Sequence, residues 1–298
     1  MLNAKDTVDV EALQVLDYAN PVVEHAMKHG TVNVTDEVIL ANVRSSIRRG
    51  YPQLRPFPPQ PDVVCIVGSG PSLNATLPEL TELYFQGAKI VTLNGAYHWC
   101  IEHNLRPSTQ IVLDARASNA RFLNPPIPRC RYAIASQCAP EVWDAVEGRD
   151  DVWIFHAASA VENPATSLLD EFYAGQWFGV GGGVTVATRA LYLLSMCGWR
   201  RFHLFGIDSC WTGGEHHAFA QPENQKDQRF TIVVDDPAVP GSAKKFTLSP
   251  WHLKQVEDFL AIMRVSGDHF LLSIHGEGIL AYLMTIGAGA NLTITEQA

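Results

Sequence analysis

The sequence is short of several things, and each shortage excludes something. No C-x-x-C pair occurs among Cys65, Cys100, Cys130, Cys138, Cys197 and Cys210. That argues against a zinc ribbon or a redox motif and for small buried hydrophobes in a reducing compartment. Basic residues are outnumbered, 22 to 31, for a net charge of −9. General nucleic-acid binding through the phosphate backbone is therefore not expected. No apolar run reaches the roughly 18 residues that would span a bilayer. The N-terminus M-L-N-A-K-D-T-V-D-V lacks the basic-then-apolar pattern of a signal peptide. The expectation is a soluble cytoplasmic protein with a sizeable core, since 47% of its residues are hydrophobic and 18% charged.

What is present alternates. Residues 1 to about 50 carry helix-like apolar spacing in V-E-A-L-Q-V-L-D-Y-A and E-V-I-L-A-N-V-R-S-S-I-R-R. Tyr51 to Pro61 holds five prolines in eleven residues, which forbids helix and central strand and predicts an extended linker. This sets an N-terminal helical segment and linker at 1–61 and a main domain at 62–298. Within the main domain, apolar runs at Val63–Val67, Lys89–Leu93, Thr109–Leu113, Arg131–Ala135, Val152–Phe155, Phe202–Phe205 and His269–Ile274 read as buried strands. Helical stretches lie between them, the strongest running from Val184 to a glycine stop at Gly198. Continuous apolar strands separated by helices predict an α/β, Rossmann-like fold with a mostly parallel sheet and helices on both faces. Residues 212–249 break the rhythm as a polar insertion, in which R-F-T-I-V-V-D-D and K-K-F-T-L-S predict a β-hairpin. Ser249-Pro250 then predicts a capped helix start.

In open parallel sheets, ligands bind beyond the carboxyl ends of the strands. The residues at those exits are G-S-G-P-S (Gly68, Ser69, Gly70, Pro71, Ser72), Asn94-Gly95, Asp114, G-I-D ending in Asp208, and H-G-E-G from His275. They are small, polar or acidic at nearly every exit. The first is a candidate phosphate cradle: glycines admit backbone amides close to an anion, and Pro71 would open a helix. It lacks the third glycine of a dinucleotide fingerprint, where Leu73 stands, and the lysine of a Walker loop. No acidic residue stands about 20 positions on at the end of the second strand, where Asn94 is found. Both absences count against a dinucleotide oxidoreductase. A second glycine cluster, with Gly182, Gly183 and Thr185, also leads into a helix, as an anion contact or as tight packing. Asp114 and Asp208 could hold Mg²⁺, contact a ribose, act as a base or merely cap a turn. The loop W-T-G-G-E-H-H carries His216 and His217. Adjacent histidines do not suit one zinc, so an acid–base histidine is the better reading.

Taken in order, G-S-G-P-S-L, L-N-G-A, V-L-D, the block G-G-G-V-T-V-A-T-R-A-L-Y-L-L-S-M-C-G-W-R-R-F-H-L-F-G-I-D and a histidine loop resemble the 6-hydroxymethylpterin diphosphokinase-like family. That family includes the motility-associated flagellin glycosylation proteins, and the same order is similar to the bacterial lipooligosaccharide sialyltransferases. The resemblance covers roughly 62–217. It implies a nucleotide-activated donor, either a nucleotide sugar or ATP, contacted by Gly68 to Ser72, Asn94, Asp114 and the Gly181–Thr185 turn. It implies a catalytic histidine at His216 or His217, and Mg²⁺ at Asp114 and Asp208 in the diphosphokinase branch.

The expected activity is transfer of a sugar or phosphate-containing group to an acceptor hydroxyl on a small molecule or glycan. Either histidine or Asp208 would be the base, and glycosyl transfer is slightly favoured. The alternatives are an Mg²⁺-dependent ATP diphosphokinase and a non-catalytic nucleotide- or sugar-binding scaffold. A homo-oligomer is compatible with all three.

Overall fold

The structure is a computed structural model, and it describes residues 34–158, 164–221, 227–236, 239, 241–286 and 291–297. The helical reading of Val10–Ala19 falls outside these residues. Along the chain the described elements are α1 (Asp36–Ile47), β1 (Val63–Val67), α2 (Leu77–Phe85), β2 (Lys89–Leu93), α3 (Ala96–Glu102), β3 (Thr109–Val112) and β4 (Arg131–Ala135). They continue with α4 (Pro140–Asp144), β5 (Val152–Ala157), α5 (Pro164–Tyr173), β6 (Gly179–Val180), α6 (Val186–Met196) and β7 (Arg201–Phe205). The last are β8 (Phe230–Asp235), β9 (Lys244–Leu248), α7 (Pro250–Ser266), β10 (Leu271–Ile274), α8 (Ile279–Ile286) and β11 (Asn291–Gln297). Eight of the strands form one sheet, three form another, and helices surround the larger sheet. This is the α/β, Rossmann-like arrangement with a mostly parallel sheet that the alternation predicts.

The chain divides into two compact units. One comprises residues 32–67 and 83–200 and holds β1 to β6 in that order, paired in parallel. Val64 to Val67 of β1 are fully buried, as a continuous apolar run requires when both faces of a strand are covered. A buried glutamine joins β2 to β3. Gln110 accepts from Thr92 Oγ1 at 2.6 Å and donates through Nε2 to the Asn94 and Phe122 carbonyls. Its polarity is satisfied, so it costs little, and it anchors the turn after β2.

The proline-rich stretch is extended, as its composition requires, and it is tied down along its length. Leu54 N–H donates to Ile154 O, Ile154 N–H to Pro52 O, Phe57 N–H to Met196 O and Gln60 N–H to Gly198 O. α1 is likewise anchored, through Asn42 to the Ala115 and Gln137 carbonyls and through Ser46 to the Ser136 carbonyl. The glycine stop after α6 is required twice over: Gly198 has φ +94°, and a Cβ there would overlap the Pro58 carbonyl.

The other unit comprises residues 68–82 and the described residues from 201 onward. Here β7 and β10 pair in parallel, and β8 and β9 form the expected antiparallel hairpin. β11 adds a strand to that hairpin on the β8 side. α7 starts where Ser249-Pro250 predicts. Ser249 N–H donates to His252 Nδ1 at 3.1 Å, and the Ser249 hydroxyl accepts from Trp211 Nε1 at 2.8 Å.

All six cysteines are buried and unbridged. Burial pushes the Cys65 thiol up to about 12, which makes it inert as a nucleophile. No helix among the described residues is long and apolar enough to cross a membrane.

Candidate functional site

The unit that contains residues 68–82 and 201–298 brings together the first glycine motif, Asp208 and both loop histidines. Gly68 N–H donates to Phe205 O at 2.8 Å, and Gly70 N–H donates to Gly206 O at 2.7 Å. Ser72 N–H donates to Asp208 Oδ2 at 3.0 Å. The G-S-G-P-S and G-I-D strand exits are therefore laced to each other. The glycines answer to that approach. A Cβ on Gly68 would sit 2.5 Å from the Gly206 oxygen, and one on Gly70 would overlap the Asp208 carboxylate.

Gly70→Ala is expected to destabilise the fold by about 2 kcal/mol through overpacking, read as a lower urea midpoint. An unchanged midpoint would mean the loop stands clear of Asp208.

Pro71 opens a single 3₁₀ turn, Pro71–Leu73, and the α-helix begins only at Leu77. The expected helix N-terminus at the end of the motif is thus absent. Leu73 N–H returns to Gly70 O, three residues back, which closes a 3₁₀ ring. Four loop amides meet acceptors of the protein itself, and one of those acceptors is a carboxylate.

Asp208 sits at the centre of this unit's strand exits and is 4% exposed. Burial raises its pKa, and Ser72, through its side chain and then its amide, partly offsets that rise. From the β10 exit, Gly276 (φ +105°) and Gly278 close over it. A Cβ on Gly276 would lie 2.5 Å from Ser72 Cβ, and one on Gly278 would lie 2.7 Å from Asp208 Cβ. The Asp208 main-chain oxygen accepts from Ile279 N–H, so it also anchors the start of α8. Ser209, next in the chain, takes a left-handed φ of +53°.

The two histidines occupy different surroundings. His216 is 2% exposed. Its ring centre lies 4.2 Å from that of Trp211, 6.1 Å from Trp251 and 3.9 Å from His217. His217 is partly exposed and faces the glycine loop, with Nδ1 3.0 Å from Ser69 Oγ. The next residue completes the docking. Ala218 N–H donates to Ser69 O at 2.8 Å, and Asn74 Nδ2 donates to Ala218 O at 3.0 Å. Behind them His252 is buried, and its pKa is held well below the usual histidine range by burial and then by His216 and His217.

The remaining candidates lie in the other unit. Asn94 takes a left-handed φ of +47°, with its carbonyl on Gln110. Its buried Oδ1 meets no hydrogen-bonding partner among the described residues. Asp114 lies under the Arg116 fork: Nε is 3.0 Å from both carboxylate oxygens, and Nη2 is 2.5 Å from Oδ2. Gly182 and Gly183 have φ +97° and +87°. Arg189 holds their turn from inside by donating to the Ala158, Val180 and Gly183 carbonyls. Thr185 caps α6, accepting from Thr188 N–H at 3.4 Å.

Neither aspartate is arranged as a magnesium ligand. Mg²⁺ demands an octahedron of oxygens and retains several waters. The Asp114 oxygens face a guanidinium, and Asp208 is enclosed by a backbone amide and glycine walls too tight for a Cβ.

His156 and His275 each follow a strand singly, which reads as a core or surface residue, and the structure supplies their partners. His275 bridges Glu79, at 2.5 Å, and His203, at 2.8 Å. His156 lies buried between Tyr173 and Trp177. Both depend on partners far away in sequence, so a lone histidine after a strand carried no signal.

Comparison with known proteins bears on this geometry. The MAf glycosyltransferase from Magnetospirillum magneticum AMB-1 superposes with a TM-score of 0.57 at 17% identity, over 81% of this chain and 36% of that one. The chain thus spans about a third of that protein's length, and the likeness is one of fold. A mammalian sialyltransferase superposes with a TM-score of 0.41 at 10% identity, over 91% of this chain and 92% of that one. No curated protein matches the sequence. The profile of the family described as 6-hydroxymethylpterin diphosphokinase MptE-like matches residues 38–214, from α1 to two residues short of His216. That match covers more than half of the sequence, and the chain belongs to the 6-hydroxymethylpterin diphosphokinase MptE-like family.

Proposed function

We propose that this protein is a nucleotide-dependent transferase that moves a sugar from an activated nucleotide donor to an acceptor hydroxyl on a small molecule or glycan. The observation that carries the reading is His217, held on the glycine loop at the β1 exit by Ser69. Strand exits are where parallel α/β sheets bind ligands. A partly exposed imidazole there is suited to take a proton from an attacking hydroxyl. Family membership and a fold shared with a protein described as a glycosyltransferase agree with this choice. Asp208 serves the site as a brace for the loop, not as the base, because its carboxylate is buried against Ser72 N–H.

The family's description also names a diphosphokinase. Diphosphate transfer from ATP relies on Mg²⁺ to neutralise the phosphates. The engagement of Asp114 by Arg116 and the enclosure of Asp208 favour glycosyl transfer over that reading.

A thermal-shift panel of CMP-, UDP- and GDP-sugars, and ATP with and without Mg²⁺, tests the proposal. A nucleotide sugar at 100 times its Kd should stabilise the protein by about 2.7 kcal/mol. No shift with any nucleotide would overturn the reading. A shift with ATP that requires Mg²⁺ would replace it with the diphosphokinase, and binding without turnover of any acceptor would leave a scaffold.

A further inference from the structure

We propose that Ser69 is a positioning residue for His217. Its hydroxyl accepts the Nδ1 proton of the imidazole and so leaves the lone pair on Nε2, the atom that takes the acceptor proton. This rests on the transferase reading above and adds to it the residue that sets the state of the base.

The geometry brings the two groups together, and the direction of the bond is what the proposal adds. Ser69 Oγ and His217 Nδ1 are 3.0 Å apart, within hydrogen-bond range. The pairing does not depend on one flexible contact. The Ser69 carbonyl holds Ala218 N–H and Asn74 holds the Ala218 carbonyl, so the backbone beside His217 is fixed to the same loop. His216 packs against the ring at 3.9 Å between centres and limits its rotation. Which nitrogen of a histidine keeps its proton is set by the hydrogen bond that the other makes. With Nδ1–H given to Ser69, Nε2 is the basic atom.

In the transfer step, a lone pair of the acceptor oxygen forms a bond to the donor's sugar carbon. The bond from that carbon to the phosphate oxygen breaks, and its electron pair leaves with the nucleotide. The acceptor's O–H proton passes to Nε2. The imidazolium then holds Ser69 through a charge-assisted bond, stronger than the neutral one it replaces.

The G-S-G motif thereby gains a second meaning. Its glycines are required by packing against Gly206 and Asp208, whereas the residue between them is free to be chosen for chemistry.

The test uses the full chain labelled with ¹⁵N-histidine. Long-range ¹H–¹⁵N spectra report which imidazole nitrogen carries the proton. Wild type is expected to show His217 as the Nδ1–H tautomer. Ser69→Ala should shift it toward the Nε2–H form that free imidazole prefers, and Ser69→Thr should restore it. Ser69→Ala leaves the main-chain bond to Ala218 in place, so the fold should survive, which a thermal melt checks. Release of nucleotide from whichever sugar donor of the panel is turned over should fall about tenfold in kcat with KM held, part of the 10²–10⁴ that a positioned acid or base contributes. An Nε2–H tautomer in wild type, or a Ser69→Ala spectrum identical to wild type, overturns the inference. Failure of every donor would overturn the transferase reading instead, and the spectra would still decide the role of Ser69.

Discussion

The His217→Ala substitution is expected to lower sugar transfer by roughly 10²–10⁴-fold while leaving the melting temperature close to that of wild type. The adjacent His216→Ala substitution is expected to do the reverse. His216 is 2% exposed and packs among Trp211, Trp251 and His217, so its removal leaves a void in an aromatic cluster. Truncating a ring in such a place costs about 3 kcal/mol, seen as a lower urea midpoint. Turnover per folded molecule should change far less than in His217→Ala. The pair is a sharp test because the two residues are neighbours of one type and differ only in surroundings. Steady-state donor turnover and urea melts on both variants decide it. Loss of turnover in the His216 variant with His217→Ala still active would exchange the roles assigned here.

A second large effect is expected in acid. Burial pushes the His156 pKa down to about 4, from a usual value near 6.5. Its two ring nitrogens are buried without a hydrogen-bonding partner among the described residues, between the rings of Tyr173 and Trp177. The folded state therefore holds this ring neutral, while the unfolded chain binds a proton below about 6.5. The unfolded state gains protons first, so stability is full above pH 6.5 and falls as pH drops toward 4. The loss from this residue alone is about 3 kcal/mol. His203, also down at about 4 through burial, His275 and Arg201, adds to the loss in the same window. His156→Phe should remove its share of the slope. It should cost little at pH 7, because an apolar ring replaces a polar one that had nothing to bond. Urea melts of wild type and variant at pH 7 and pH 4.5 read the difference. An equal acid loss in both would mean that His156 is hydrated or charged in the folded state.

β1 and β2 were legible because each is a short apolar run closed by glycine or asparagine, and burial on both faces leaves no room for alternation. β1, β2 and β4 run from the first to the last residue of their apolar stretches. The helix start at Ser249-Pro250 was legible for an equally local reason, as its proline fixes the first helical φ. The pairing of β11 was not legible, because it depends on the edge that β8 offers. Pro71 misled for a related reason: a proline that suits an α-helix start suits a 3₁₀ turn equally well, and Ser72 N–H is drawn to Asp208.

The candidate site divides along the same line. Composition and order alone determined an α/β chain with small and acidic residues at its strand exits and a histidine pair in the following loop, since these depend only on local pattern. Tertiary structure alone decided what those residues touch. It turned the G-S-G glycines toward Gly206 and Asp208, gave both Asp114 oxygens to Arg116, buried His216 and set His217 on Ser69. The reason is physical. The working state of an aspartate or a histidine is set by what lies within about 4 Å of it, and for these residues most of those neighbours come from distant parts of the chain.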